Sequence, residues 1–196
     1  SQRPIWGEYY QDHLPIGRHR QIVGHAVRAT YLYSAAADLM MAGDRFLGPA
    51  LDRVWRDLTT RKMYVTGGIG TSAANEGFTR AYDLPNESAY AETCAGIGLC
   101  LWAHRMNLAT GDARYVDVLE RVLMNAVMSG VSLSGDRFFY DNPLSSDGRH
   151  QRVPFFSCAC CPPNIVRILA QIGRFVCSVG EDSIAINLYT PFAAEV

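Results

Sequence analysis

The sequence predicts an all-α fold of stacked helix pairs, part of an α/α toroid, with one β-strand near its end. Three observations predict it. Apolar residues recur at helical spacing in successive stretches. Those stretches are joined alternately by tight turns and by long loops, an arrangement that lets helix pairs close while their loops gather at one mouth. The last stretch switches to strict alternation, the period of a strand.

Taken in order, residues 1–20 are irregular and rich in aromatic, His and Pro residues, which suits a loop that lines something. Residues 20–41 place Ile22, Val23, Ala26, Val27, Thr30, Leu32, Ala36, Leu39 and Met40 on one helical face. Gly43-Asp44 ends that helix, and Asp44 is the expected N-cap of a second helix reaching about residue 59. Residues 61–87 are polar and glycine-rich without a period. A loop that long inside a compact domain is usually functional. Asn86 or Ser88 is expected to cap a buried helix over 89–108. Thr110-Gly111-Asp112 then turns into a helix over 113–128. Residues 130–140 alternate around Ser134-Gly135-Asp136, a small hairpin signal. Residues 141–156 are irregular, and 165–176 are helical after Pro162 and Pro163. The strand is expected over 183–189, with Ile184, Ile186 and Leu188 on one face.

Composition narrows the function classes. The chain has 196 residues, 48% hydrophobic and 19% charged, which is globular rather than disordered. A net charge of −1 leaves no electrostatic footprint for nucleic acid or an anionic membrane. No apolar run reaches spanning length, and Ser1-Gln2-Arg3-Pro4 does not open a signal peptide. Six unevenly spaced cysteines do not resemble a secreted disulfide framework, so a reducing, cytoplasmic setting is expected. Three tempting motifs fail. Gly68-Ile69-Gly70 lacks the helix that a dinucleotide fingerprint opens. Cys161 and Arg167 have phosphatase spacing, but Pro162 and Pro163 remove backbone donors a phosphate needs. The cysteine order is wrong for a zinc deaminase.

The chemistry concentrates in Ala91-Glu92-Thr93-Cys94 and Cys158-Ala159-Cys160-Cys161-Pro162-Pro163-Asn164. Adjacent cysteines rarely bridge each other, and the two prolines stiffen the chain behind them. Cys94, Cys160 and Cys161 with one carboxylate can close around a single metal ion, or the thiols can themselves be reactive. Beside such a site Glu76, in its glycine-bordered loop, becomes a candidate proton donor. A lone His25 in a helical run is ordinarily a satisfied core residue. Trp55, Trp102 and Phe138-Phe139 read as core.

These motifs, together with Gly24-His25-Ala26-Val27-Arg28, Tyr64-Val65-Thr66-Gly67-Gly68-Ile69-Gly70, Leu84-Pro85-Asn86, Ala89-Tyr90-Ala91-Glu92-Thr93-Cys94-Ala95 and Phe138-Phe139-Tyr140 with Asn142-Pro143-Leu144, resemble the β-L-arabinofuranosidase family, glycoside hydrolase family 127. The resemblance runs over nearly the whole chain in the family's order. It implies an (α/α)6 catalytic toroid followed by β-sandwich domains, with residues 1–180 as the middle and end of the toroid and 181–196 as the start of a sandwich. It also implies a retaining hydrolase of β-L-arabinofuranosides, with Cys160 as nucleophile and Glu76 as general acid/base. Glu92, Cys94, Cys160 and Cys161 would be zinc ligands, and His25 and Tyr140 would bind sugar hydroxyls. Cys158, Cys100 and Cys177 carry no role in it. The expected partner is a carbohydrate, an arabinofuranosyl oligosaccharide or glycoconjugate, with room for a homodimer of a longer protein. Two other readings remain. One is a zinc-stabilised helical scaffold whose site, one glutamate with three cysteines, is closed and structural, as four protein ligands ordinarily imply. The other is a thiol-activating zinc toroid of the lanthionine-cyclase kind, against which stands the lack of a histidine near the cysteines.

Overall fold

Small residues decide how closely the central helices approach. A computed structural model describes residues 5–193 and Glu195; the opening Ser1-Gln2-Arg3-Pro4 lies outside the described residues. Helix α1 (Ala26–Met41) buries Ala26, Ala29, Thr30, Tyr33, Ser34, Ala36 and Ala37. Its partner α3 (Thr93–Thr110) is apolar nearly all round and lies at the centre. At Gly98 an added Cβ would stand 2.1 Å from Thr30 Oγ1, so the α1–α3 contact leaves no room for a side chain there. On the other flank of α3, Gly96 faces Val122 and Val127. Helices α2 (Gly48–Asp57) and α4 (Arg114–Val122) complete the helical layers. Rings from all four helices meet in one run: Tyr33–Trp102 at 5.1 Å, Trp102–Trp55 at 4.9 Å and Trp55–Tyr115 at 4.7 Å. Trp55 and Trp102 are therefore core, as their sequence context indicates.

Helix α5 (Cys161–Leu169) packs on α3, and a single turn, α6 (Gly173–Val176), leads into strand β1 (Cys177–Val179). Strand β1 pairs antiparallel with β2 (Ile184–Ile186), Cys177 opposite Ile186. Leu188 then returns to the main core. The fold is thus mostly helical with a two-stranded sheet at its end.

Several boundaries differ from the periodic pattern, each for a local reason. Residues 20–24 are not helical, because Asp57 and Lys62 take the Ile22 N–H and C=O at 3.0 and 2.8 Å. Asp44 turns back on Phe46 N instead of capping, so α2 begins at Gly48. The extended segment 89–91 pairs with residues 70 and 71, which moves the start of α3 to Thr93, with Glu92 rather than Asn86 or Ser88 at the N-cap. Helices α2 and α4 both end in a wider π turn (Leu58–Lys62 and Leu123–Val127), where Thr59, Thr60, Asn125 and Ser129 side chains bond back to carbonyls four residues earlier. The hairpin at 131–138 forms and adds Val153 as a third rung. Helix α5 starts at the vicinal cysteines, not after the prolines.

Candidate active site

Both cysteine motifs end up at helix N-termini. Glu92 is the N-cap of α3 and Cys94 lies in its first turn; Cys160 is the N-cap of α5 and Cys161 its first residue. The aligned backbone dipoles there favour thiolates and carboxylates. Because α3 packs on α5, the two ends converge. Cys94 and Cys161 sulfurs are 3.5 Å apart, Cys160 and Cys161 sulfurs 3.7 Å, and Glu92 Oε1 lies 3.6 Å from Cys160 and 4.0 Å from Cys161. All four donor atoms fall within 4.8 Å of one another.

These separations are the edges of a coordination cage. Four ligands placed tetrahedrally about 2.3 Å from zinc would be about 3.8 Å apart. Glu92 is 4% exposed, and its Oε2 finds no hydrogen-bond partner among the described residues. A buried carboxylate oxygen in that condition is costly unless a cation satisfies it. Electrostatics agrees. Burial, aided by the Cys94 charge, pushes Glu92 up to about 8, and burial pushes Cys160 up to about 12. The hydrogen bond between Cys94 and Cys161 is the main cause that raises Cys161 and lowers Cys94 to about 6. Burial and mutual repulsion oppose ionising all four together, and a positive centre among them would remove that penalty. The donor set fits a thiophilic divalent metal.

A second group adjoins the first. A His25 ring nitrogen and carboxylate oxygens of Glu76 and Glu92 also lie within 4.8 Å of one another. His25 is not inside α1, as the helical run suggests, but is its N-cap. The segment carrying it pairs with the Glu76 turn through Ala26 N to Glu76 O (3.0 Å) and Phe78 N to Gly24 O (2.9 Å). Glu76 and Ala91 both hold left-handed backbone, φ 48° and 39°, which non-glycine residues adopt at a cost of about 1–3 kcal/mol each, typically at functional sites. Burial lowers the His25 pKa, against the opposing pull of Glu76.

Tyr140 arrives through a clamp. Thr93 N and Oγ1 bond the Tyr140 and Phe139 carbonyls, each at 2.9 Å, and Asn142 Nδ2 bonds Ala91 O and Thr93 Oγ1. The Tyr140 side chain lies beside Cys160 and Tyr90, whose ring centroid is 6.1 Å from its own, and burial holds both phenols well above their usual pKa. All seven residues singled out in the sequence therefore line one contiguous site. Cys158 is exposed, Cys100 is sealed in the core, and Cys177 belongs to the hairpin; none joins the cluster.

Sequence reasoning missed the supporting shell. The Asn164 side chain lies close enough to Cys94 to help lower its pKa, while its Oδ1 accepts from Arg167 Nη1 (3.0 Å) and Tyr31 (3.4 Å). Its place one turn after the vicinal cysteines is the signal that could have found it. Tyr90 stands two residues before Glu92 and gave no such signal.

The chain matches the family model described as β-L-arabinofuranosidase, GH127 catalytic domain, over residues 3–174. It is 39% identical over 180 residues to the non-reducing end β-L-arabinofuranosidase of Bifidobacterium longum subsp. longum, an alignment covering 86% of this chain and 27% of that protein. Its fold superposes with a TM-score of 0.91 on a solved GH127 β-arabinofuranosidase, at 48% identity, covering 93% of this chain and 29% of the other. A GH127 β-L-arabinofuranosidase from Geobacillus stearothermophilus T6 gives 0.89 at 44% identity, covering 96% and 32%. The chain thus spans about a quarter to a third of the length of these relatives. With the cage, the clamp and the match over most of its length in agreement, the chain belongs to the GH127 β-L-arabinofuranosidase catalytic-domain family.

Proposed function

We propose that this chain carries the centre of a retaining glycoside hydrolase that releases L-arabinose from β-L-arabinofuranosides, with Cys160 as nucleophile and Glu76 as general acid/base. The observation that carries it is one carboxylate, Glu76, standing beside a Glu92–Cys94–Cys160–Cys161 cage of which Cys160 is the half-buried corner. Relatives 39% to 48% identical bear the name of this activity. Glu92, Cys94, Cys160 and Cys161 would hold one zinc, whose charge would keep the sulfurs deprotonated. The Cys160 sulfur attacks the anomeric carbon and the glycosidic C–O bond breaks, the leaving oxygen taking its proton from Glu76. Glu76 then deprotonates a water that attacks the same carbon, releasing the sugar and restoring the thiolate. Two displacements retain configuration. Tyr140 would donate to the sulfur, and Tyr140 and His25 would meet sugar hydroxyls.

The rival reading, a closed structural zinc site, draws on the four protein donors. It leaves unexplained a second carboxylate held in strained backbone at the cage's edge. The partner is a carbohydrate, bound by a longer protein in which residues 181–196 begin a β-domain; the β1–β2 hairpin straddles that division. Among the described residues no helix is long and apolar enough to cross a membrane, and six unbridged thiols suit a reducing, cytoplasmic setting.

An arabinofuranose inhibitor with an electrophilic anomeric carbon tests the assignment. It should add one sugar mass to the peptide holding Cys158, Cys160 and Cys161, and fragmentation should place that mass on Cys160. Label on Glu92, or a product of inverted configuration, would give the attack to a carboxylate and leave the cysteines as a metal cage only.

A further inference from the structure

His25 contacts two partners with its two ring nitrogens. Nδ1 accepts the Val27 backbone N–H at 3.2 Å, the N-cap bond of α1. A nitrogen that accepts cannot carry the ring's proton, so the neutral imidazole is the Nε2–H tautomer. Nε2 faces Glu76 Oε2 at 3.5 Å. The helix start thereby decides which ring nitrogen carries the proton, and that nitrogen is the one beside the acid/base carboxylate, within reach of a hydrogen bond after a small approach.

The backbone enforces the same pairing. A Cβ on Gly77 would stand 1.9 Å from the Gly24 carbonyl oxygen, so the Glu76 turn lies against the His25 segment as only glycine permits. The Glu76 side chain is 40% exposed, against 12% for His25. Without an anchor it is free to rotate toward solvent, whereas the imidazole is fixed at its other end by the cap.

We propose that His25 is a positioning residue for Glu76, a tautomer-locked Nε2–H donor that aims the carboxylate at the leaving oxygen. This rests on the acid/base reading of Glu76 and deepens it. It also assigns His25 a duty apart from holding a sugar hydroxyl.

Two substitutions separate the two ring nitrogens, made in the intact protein. Asn places its amide near the Nδ1 position and is itself a strong N-cap, so His25→Asn keeps the helix start and loses the donor to Glu76. Gln reaches the Nε2 position, so His25→Gln keeps the donor and loses the cap. Arabinofuranosides with an alkyl leaving group need protonation; those with a nitrophenyl leaving group scarcely do. His25→Asn should lower kcat on the alkyl substrate on the order of 10²-fold more than it lowers the nitrophenyl rate of glycosylation, because the loss of any sugar contact falls on both substrates alike and cancels in that ratio. His25→Gln should recover most of the alkyl rate despite a lower unfolding temperature. Nitrogen-15 NMR of labelled histidine should show the Nε2–H tautomer in the wild type. Equal losses on both substrates for Asn and Gln, centred on KM, would mean a sugar contact alone and overturn the proposal, as would an Nδ1–H tautomer. Two metal ions per chain, one of them lost in His25→Asn, would overturn it too, making His25 a ligand. Glu76→Gln distinguishes the levels: full activity on both substrates removes the acid/base reading itself, whereas a leaving-group-dependent loss there without one in His25→Asn removes only the positioning role.

Discussion

The cage has two unlike halves. Glu92 and Cys94, on α3, are 4% and 2% exposed and continuous with the aromatic core between α1 and α4. On α5, Cys161 is 0% exposed and as deep as they are, whereas Cys160 before it is half-buried and follows a stretch in which Phe155 and Cys158 are exposed. The α3 half is scaffold throughout, and the α5 half joins one scaffold sulfur, Cys161, to one rim sulfur, Cys160. The difference teaches where chemistry can occur: a ligand that also attacks a substrate has to sit on the side a sugar can reach, held in place from behind by ligands that cannot move.

The sharpest way to break this comparison is to remove one sulfur from each half. Cys94→Ser should lose bound zinc and lower stability on the order of 4 kcal/mol, the scale associated with losing a metal or a buried network. Cys160→Ser should abolish turnover while retaining measurable zinc and most of the stability. Elemental analysis with urea unfolding reads both. Equal loss of metal and stability in the two variants would erase the distinction between scaffold and rim.

A smaller effect tests whether the deep half depends on the α1–α3 contact. Gly98→Ala introduces a methyl 2.1 Å from Thr30 Oγ1 and 3.0 Å from Thr30 Cβ. Overpacking of that kind should destabilise by about 1–3 kcal/mol. The partner change Thr30→Ala should relieve part of it in a double-mutant cycle. Additive losses would mean that α3 shifts as a body and the cage does not depend on this contact.

The smallest effect links the halves. Asn164 sits on α5, and its side chain reaches the neighbourhood of Cys94 on α3 and helps lower its pKa. Asn164→Ala should leave folding near wild type and weaken zinc binding roughly 10-fold, the low end for a residue that orients a metal ligand. Competition with a chromophoric chelator measures it. An unchanged affinity would mean that Cys94 is oriented by α3 alone.

How legible each half is in the sequence follows from the same division. The core helices announce themselves, because α4 carries an apolar stripe at helical period and α3 is apolar nearly all round. The vicinal cysteines and Glu92-x-Cys94 also stand out, since those residue types at that spacing have few other uses. What periodicity could not give is where helices stop. The Ile22 peptide is claimed by Asp57 and Lys62, which lie 35 and 40 residues away. That contact straightens residues 20–24 and turns His25 from an interior helical residue into a cap. The Asn142 and Thr93 clamp is equally remote in sequence, 49 residues apart. Side chains that satisfy distant backbone groups leave no local pattern. Strand β1 was hidden for a related reason: Cys177-Ser178-Val179 has too few residues to show alternation, and only pairing with β2 defines it.

Cys94 and Cys161 lie 67 residues apart in the chain. In an unfolded chain, closing a loop of that length to bring the two sulfurs together costs about 4 kcal/mol in entropy. In the folded chain α3 and α5 already hold them together, so the same zinc ion should bind the native state roughly a thousandfold more tightly than the denatured one on this ground alone. A divalent metal held in this cage would act as a folding ligand, and its free concentration would shift how much of this protein stays folded, whether or not any sugar is present.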